Sequence, residues 1–134
     1  MTQEEKELLL RDLCGRLPYS LKANVNRNGS TLTLYAIFED KSVYLKAGDA
    51  ALRGWNEKIE DIKPYLRPMS SMTLVERIEL KAITKGTIQT TGLEDMVVTT
   101  DKGFDYLNAH HFDYRGLIPM GLALESPEGM YKND

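Results

Sequence analysis

The dipeptide Asn28-Gly29 constrains the fold of this 134-residue chain more than any other feature. Both residue types tolerate positive φ, and the pair is the strongest short-range signal for a two-residue hairpin turn. Apolar and polar residues alternate before it over 21–26 and after it over 31–38. A third alternating run covers 43–47. The pattern predicts a three-stranded antiparallel meander with one apolar face.

Strict alternation along the second predicted strand divides its apolar side chains between two faces: Leu32, Leu34, Ala36 and Phe38 on one, Tyr35 and Ile37 on the other. We therefore expect this strand to be covered on both sides. Residues 48–55 read as a loop, and a short fourth strand over 60–62 would extend the meander into an SH3-like shape. Pro64 and Pro68 permit an extended segment between them and exclude a regular helix.

The first residues predict an amphipathic helix over 3–15, which Pro18 cannot continue. Thr2 and Glu5 have the spacing of a capping box. An apolar stripe at helical spacing follows: Leu10, Leu13, Cys14 and Leu17. We therefore expect Cys14, the single cysteine, to be a small buried side chain rather than a reactive thiol.

The second half of the chain predicts two more helices. Thr73 and Glu76 repeat the capping-box spacing ahead of a helix over 74–85. A further helix begins at 101 and ends near 111 or 112. The stretch 87–100 between them favours a loose hairpin around Gly92.

The predicted fold class is therefore α+β: an N-terminal helix, a three- to four-stranded antiparallel meander, two C-terminal helices and an ordered extended tail. The tail, from 112 onward, is too apolar to lie free in water. One domain over 1–134 is expected. The alternative is a division into a helix with a meander over 1–68 and a helical part with the tail over 69–134.

Charge is distributed unevenly around the net value of −3. Residues 1–67 hold 11 Lys and Arg against 10 Asp and Glu, whereas 68–134 hold 6 against 10. An anionic ligand must therefore meet the first half. No stretch approaches the roughly 18 apolar residues of a membrane helix. The polar, acidic N-terminal residues do not resemble a secretory signal. We expect a cytoplasmic protein that does not enter the membrane.

Two long blocks carry a resemblance: IKPYLRPMSSMT over 62–73 and LNAHHFDYRGLIP over 107–119, with further similarity over 121–125 and 127–131. The opening helix is similar too. These blocks resemble small proteins without an assigned activity from gut Bacteroidales and their phages or prophages. The resemblance implies a mobile-element setting and a cytoplasmic location, and it implies no catalytic residue.

The candidate metal ligands are His110, His111 and Asp113. Adjacent residues on a helix point about 100° apart, so neighbouring histidines do not readily share an ion. A helix that stops before His110 would relax this restriction. The alternative is a helix end where histidine caps the last carbonyls and Asp113 pairs with Arg115. The chain has no phosphate-binding loop or dinucleotide fingerprint, and no cofactor is expected.

The predicted meander holds the candidates for nucleic-acid binding: Lys22, Arg27, Tyr35, Tyr44 and Lys46. Small barrels bind single strands by stacking bases on aromatic rings beside basic side chains. The same aromatic spacing also fits an ordinary half-buried sheet.

Protein binding is the function that the sequence favours most. Aromatic, Arg and Met side chains are enriched in interface cores. The candidates of these types and their neighbours are Tyr65, Leu66, Arg67, Met69, Tyr114 and Arg115. The alternative is that both segments brace the meander internally against the helices. We expect a non-enzymatic interaction protein of a phage or mobile element. A nucleic-acid-binding module is the second hypothesis, and a metal-dependent enzyme at His110, His111 and Asp113 is the third.

Overall fold

The computed structural model describes residues 1–47, 53–84 and 101–131, and within them an α+β fold that confirms the predicted class. The elements in chain order are α1 (Gln3–Arg16), β1 (Lys22–Val25), β2 (Ser30–Ile37), β3 (Ser42–Lys46), β4 (Gly54–Lys58), β5 (Ile62–Leu66), α2 (Leu74–Thr84), α3 (Asp101–Ala109) and β6 (Leu124–Glu125). Short 3₁₀ turns lie at Leu17–Tyr19, Ile59–Asp61 and Met69–Ser71. No helix in the described part of the chain is long and apolar enough to cross a membrane.

The strands form one sheet in the order β4-β3-β2-β1-β5-β6, antiparallel throughout except for the β5–β6 pair. Its centre is the predicted hairpin, but the turn has four residues, 26–29, and not two. Asn28 N and Gly29 N both donate to the Val25 carbonyl, and of this pair only Gly29 has a positive φ, of 71°. The sheet is larger than predicted. β4 begins inside the stretch expected to be a loop, and the expected strand over 60–62 is a 3₁₀ turn leading into β5. The alternation of apolar residues did not predict β4, because one of the inward-facing residues of this strand is Glu57, which carries a carboxylate.

A β-bulge interrupts the alternation of β2. Leu34 pairs with Leu45 of β3, but the next pair is Ala36 with Tyr44, so Tyr35 is an extra residue between them. A shift of one residue in a strand exchanges its two faces for every residue that follows.

The bulge overturns the predicted faces of this strand. Ile37 turns toward the core, and Phe38 turns to the side on which Tyr35 lies. The expectation that the strand is covered on both sides was wrong, because Tyr35 is 59% exposed and Phe38 is 46% exposed.

The main hydrophobic core lies between α1 and one face of the sheet, which we call the inner face. Its members are Leu9, Leu13, Leu21, Ala23, Val25, Leu32, Leu34, Val43, Leu45, Ile59, Ile62, Leu66, Leu117, Leu122 and Ala123. The last three come from the tail after α3, so the end of the chain completes the core begun by its first helix.

The buried face of α1 differs from the predicted stripe. It consists of Leu9, Asp12, Leu13 and Arg16, and Cys14 is exposed. The prediction of a buried Cys14 was wrong because two polar residues, paired with each other, take the positions that face the protein. The capping box between Thr2 and Glu5 is confirmed, with Glu5 N donating to Thr2 Oγ1 at 3.1 Å.

The polar pair on α1 is an ion pair with no exposed surface. Arg16 Nε donates to Asp12 Oδ2 at 2.8 Å, and Arg16 Nη2 donates to the Phe112 carbonyl at 2.6 Å. Arg115 Nε lies 3.2 Å from Asp12 Oδ1. The expected pairing of Asp113 with Arg115 was therefore wrong. These contacts join the first helix to the segment after α3.

A second, smaller cluster lies between α2 and α3: Met72, Leu80, Tyr106, Leu107 and Phe112. The capping box at the start of α2 is present, with Glu76 N donating to Thr73 Oγ1 at 3.2 Å and Thr73 N donating to Glu76 Oε1 at 2.9 Å. The hairpin predicted over 87–100 lies outside the described residues.

Candidate functional site

The face of the sheet opposite the core, which we call the outer face, is the candidate site. The registers of β1–β5 assign these side chains to it: Lys22, Asn24, Thr31, Thr33, Tyr35, Ala36, Ser42, Tyr44, Lys46, Gly54, Asn56, Lys58, Lys63 and Tyr65. Among these described positions there are four lysines and no carboxylate. The outer face is therefore a local basic surface on a chain whose net charge is −3.

Three aromatic rings form a cluster on the outer face. The ring centroids of Tyr35 and Tyr44 lie 6.0 Å apart, and those of Phe38 and Tyr44 lie 6.4 Å apart, both edge to face. The bulge in β2 makes this cluster, because without it Phe38 would point into the core. Two of the three rings, those of Tyr35 and Phe38, are therefore exposed to a ligand. A strictly alternating strand would have exposed only one ring on this face.

Lys46 and Gly54 set the position of the two tyrosines. The ammonium of Lys46 lies 3.8 Å from the centroid of the Tyr35 ring, which is a cation–π contact. Tyr44 lies across the backbone of β4 at Gly54, where a β-carbon would overlap its ring. The neighbouring strand thus has a glycine where the ring needs space.

The structure assembles four of the five predicted nucleic-acid residues on the outer face: Lys22, Tyr35, Tyr44 and Lys46. Arg27 is the exception. It lies in the β1–β2 turn, and its Nε donates to Glu57 Oε1 at 2.6 Å on the inner side of β4. Lys58 and Lys63 join the site without having been predicted, because their strands were not recognised as part of the meander.

The predicted protein-binding residues of β5 and the following turn mostly contact other parts of the chain. Leu66 is buried in the core, and Met69 packs against the cluster of α2 and α3. Arg67 makes two hydrogen bonds to Glu76, at 2.6 and 2.7 Å, and lies 4.2 Å above the Phe112 ring. The carbonyl of Tyr65 accepts a hydrogen bond from Tyr131 Oη at 2.8 Å.

Arg67 changes the ionisation of Glu76. Burial by itself would raise the pKa of this carboxyl, but the hydrogen bonds from Arg67 and from Thr73 outweigh it and lower the pKa to about 2. The ion pair therefore holds β5 to α2 through a carboxylate that stays charged down to low pH.

Tyr114 and Arg115 also make internal contacts. Tyr114 Oη donates to Asn108 Oδ1 at 3.0 Å, its ring lies 5.2 Å from that of Phe104, and Arg115 reaches Asp12 as described above. Five of the six side chains thus have the contacts expected of internal braces, whereas Tyr65 contributes its backbone carbonyl and its side chain lies on the outer face. Their binding of a partner stays a prediction.

The candidate metal ligands engage three different partners. His110 Nδ1 lies 3.5 Å from Glu76, the His111 ring stacks on Tyr131 at 3.7 Å, and Asp113 accepts hydrogen bonds from the backbone N–H of Leu117 and Ile118 at 2.8 and 2.9 Å. No group of three His, Cys, Asp or Glu side chains within the described ranges could hold a metal ion.

The backbone explains why the two histidines diverge. α3 ends at Ala109, earlier than predicted, and His111 has a left-handed φ of 64°. His111 N donates to the Asn108 carbonyl and Phe112 N donates to the Leu107 carbonyl, which is a Schellman motif with histidine in place of the usual glycine. The last carbonyls of α3 are thus satisfied by backbone N–H groups and not by histidine side chains.

A different apolar feature lies on α2. Leu74, Val75 and Ile78 are 72%, 66% and 58% exposed. Large aliphatic side chains are scattered singly on most surfaces, whereas these three are close together on one helix. Their sequence pattern was interpreted as an ordinary amphipathic helix, so the exposed strip was not foreseen.

Comparisons of the chain with models of protein families, with curated proteins and with solved structures found no match.

Proposed function

We propose that the protein binds single-stranded nucleic acid across the outer face of its sheet. The observation that carries this proposal is the cluster of Tyr35, Phe38 and half-buried Tyr44, set among four lysines on a face whose described strand positions include no carboxylate. Unpaired bases stack on such rings, and lysine side chains bind the phosphates between them.

The shape of the surface favours a single strand over a duplex. A sheet face with exposed rings offers a stacking platform, and in a duplex the faces of the bases are already stacked on one another. Binding with little sequence preference is expected, because every base has a face that can stack.

The test is fluorescence anisotropy with a labelled oligo-thymidine and matched variants of the aromatic cluster. Tyr35→Ala and Tyr44→Ala should each weaken binding by about 5- to 100-fold, because one stacked base contributes about 1–3 kcal/mol. Tyr35→Phe keeps the ring and should bind like the wild type. Lys102→Ala removes one exposed charge from α3 and serves as the control for charge. Wild-type protein that does not bind the oligonucleotide would refute the proposal.

The exposed strip on α2 favours a second candidate function, which is binding of a protein of the host or of the same mobile element. Leu74, Val75 and Ile78 would supply the apolar centre of that interface. A partner isolated from the host should bind again as a purified protein, and Ile78→Glu should abolish this binding while leaving the oligonucleotide affinity unchanged. Equal binding by Ile78→Glu would exclude the strip.

The proposal also includes the predicted SH3-like shape of the meander, the origin in a phage or prophage and the cytoplasmic location. The resemblance over 62–73 and 107–119 supports a phage or prophage of Bacteroidales and a cytoplasmic location. The bulge in β2 supports an SH3-like curvature of the meander, because bulges increase strand twist. Fractionation of native host cells tests the location: recovery in the membrane or secreted fraction would contradict it.

A further inference from the structure

A small cleft opens at one end of the outer face. It has a volume of about 240 Å³ and lies between the 3₁₀ turn Leu17–Tyr19, the middle of β2 and the end of β3. Leu17 and Pro18 form its apolar wall, and Thr33, Tyr35 and Lys46 line it from the outer face. The cleft and the aromatic cluster therefore share Tyr35 and Lys46.

The lining of the cleft matches the parts of one nucleotide. The apolar wall of Leu17 and Pro18 suits one face of a base, and the hydroxyl of Thr33 can donate to or accept from a base edge. The Lys46 ammonium lies over the face of the Tyr35 ring, 3.8 Å from its centroid, and supplies a cation in the cleft for a phosphate.

We propose that this cleft takes one nucleotide of the bound strand, with its base against Leu17 and Pro18 and its phosphate at Lys46 above the Tyr35 ring. This inference rests on the proposed function, because it defines where a strand lying on the outer face is anchored. A strand that continues from the cleft passes directly onto the ring of Tyr44, which contacts Tyr35 edge to face.

The test compares two substitutions of the same kind on the same strand. Thr33→Leu fills the cleft, and Thr31→Leu places the same side chain on the outer face away from it. The probes are thymidine monophosphate, followed by amide chemical shifts, and the labelled oligo-thymidine. The monophosphate should shift the amides of Leu17, Tyr19, Ser20, Thr33 and Lys46. Thr33→Leu should abolish these shifts and weaken oligonucleotide binding about tenfold. Thr31→Leu should leave the monophosphate shifts unchanged, because Thr31 does not line the cleft.

The outcomes separate this inference from the proposed function. If wild type and Thr33→Leu bind the oligonucleotide equally, the cleft proposal is overturned and the outer face remains the binding surface. If the monophosphate binds in the cleft but the oligonucleotide does not bind at all, the cleft stands and the proposed function fails. Monophosphate shifts elsewhere on the protein would also overturn the cleft.

Discussion

At the scale of single residues, the buried polar side chains of Asp12 and Arg16 hold parts of the fold together. Asp12 and Arg16 have no exposed side-chain surface, and they connect α1 to the Phe112 carbonyl and to Arg115. Removing one member of a buried ion pair leaves the other charge unpaired in a poorly solvating environment. The pair therefore fixes the position of the segment after α3 against the first helix.

Because Asp12 and Arg16 are paired, we expect the replacement of one to destabilise the protein more than the replacement of both. Arg16→Met should lower the free energy of unfolding by about 3–5 kcal/mol, because the Asp12 carboxylate stays buried with only Arg115 beside it. The double variant Asp12→Leu with Arg16→Met should be more stable than Arg16→Met alone. Urea denaturation of the three proteins measures both effects. A loss below about 1 kcal/mol for Arg16→Met would contradict this account.

His111 is a second residue whose ionisation matters. Burial, and then the positive charge of Arg16, lower its pKa from 6.5 to about 3. Because the folded state resists protonation that the unfolded state accepts, the stability is greatest above pH 6.5 and falls as the pH drops toward 3.

The pKa of His111 predicts a loss of about 2 kcal/mol of stability between pH 7 and pH 5. His111→Asn should reduce this loss, because asparagine does not titrate and tolerates the left-handed φ of this position. Urea unfolding at the two pH values measures the difference. Glu76, whose pKa is about 2 in the folded protein, contributes little to this loss, because its effect on stability begins only as the pH falls toward the ordinary value of 4.5. An equal loss in both proteins would refute the assignment to His111.

At the scale of elements, the outer face depends on features that a local pattern does not reveal. The hairpin at Asn28-Gly29 and both capping boxes were predictable, because each depends on residues within one turn of chain. The bulge at Tyr35 was not, because it depends on the pairing of β2 with β3 and leaves no mark on the alternation of either strand. Phe38 was consequently assigned to the wrong face.

The local sequence pattern also failed to predict which face of α1 is buried. Three consecutive leucines over 8–10 offer several helical stripes, and the docking of the helix on the sheet decides between them. Asp12 and Arg16 on the buried side removed the apolar signal that would have identified it. The spacing of this pair, i and i+4 with opposite charges, was the one available clue.

Gly54 of β4 provides a test of the aromatic cluster at this scale. Gly54→Val should displace the Tyr44 ring, which occupies the place of its β-carbon, and weaken oligonucleotide binding about fivefold or more. Gln3→Val on α1, away from the outer face, is the control and should bind normally. Anisotropy measures the affinity, and the Tyr44 ring resonances report the displacement. Normal affinity with displaced resonances would show that Tyr44 does not stack on the ligand.

At the scale of the whole molecule, the charges are distributed unevenly. The outer face carries Lys22, Lys46, Lys58 and Lys63, whereas the second half of the chain is acidic. The uneven charge along the sequence indicated which half could meet an anion. It could not show that these lysines share one face, because that depends on the order of the strands in the sheet.

The salt dependence of oligonucleotide affinity tests the central claim most directly. If the four lysines of the outer face bind phosphates, the logarithm of the affinity should fall with the logarithm of salt concentration with a slope of about −2 to −3, at about −0.7 per phosphate contact on a single strand. Lys46→Ala should make this slope shallower by about 0.7, and Lys102→Ala should leave it unchanged. A slope near zero, or the same slope in Lys46→Ala and wild type, would contradict nucleic-acid binding by the outer face.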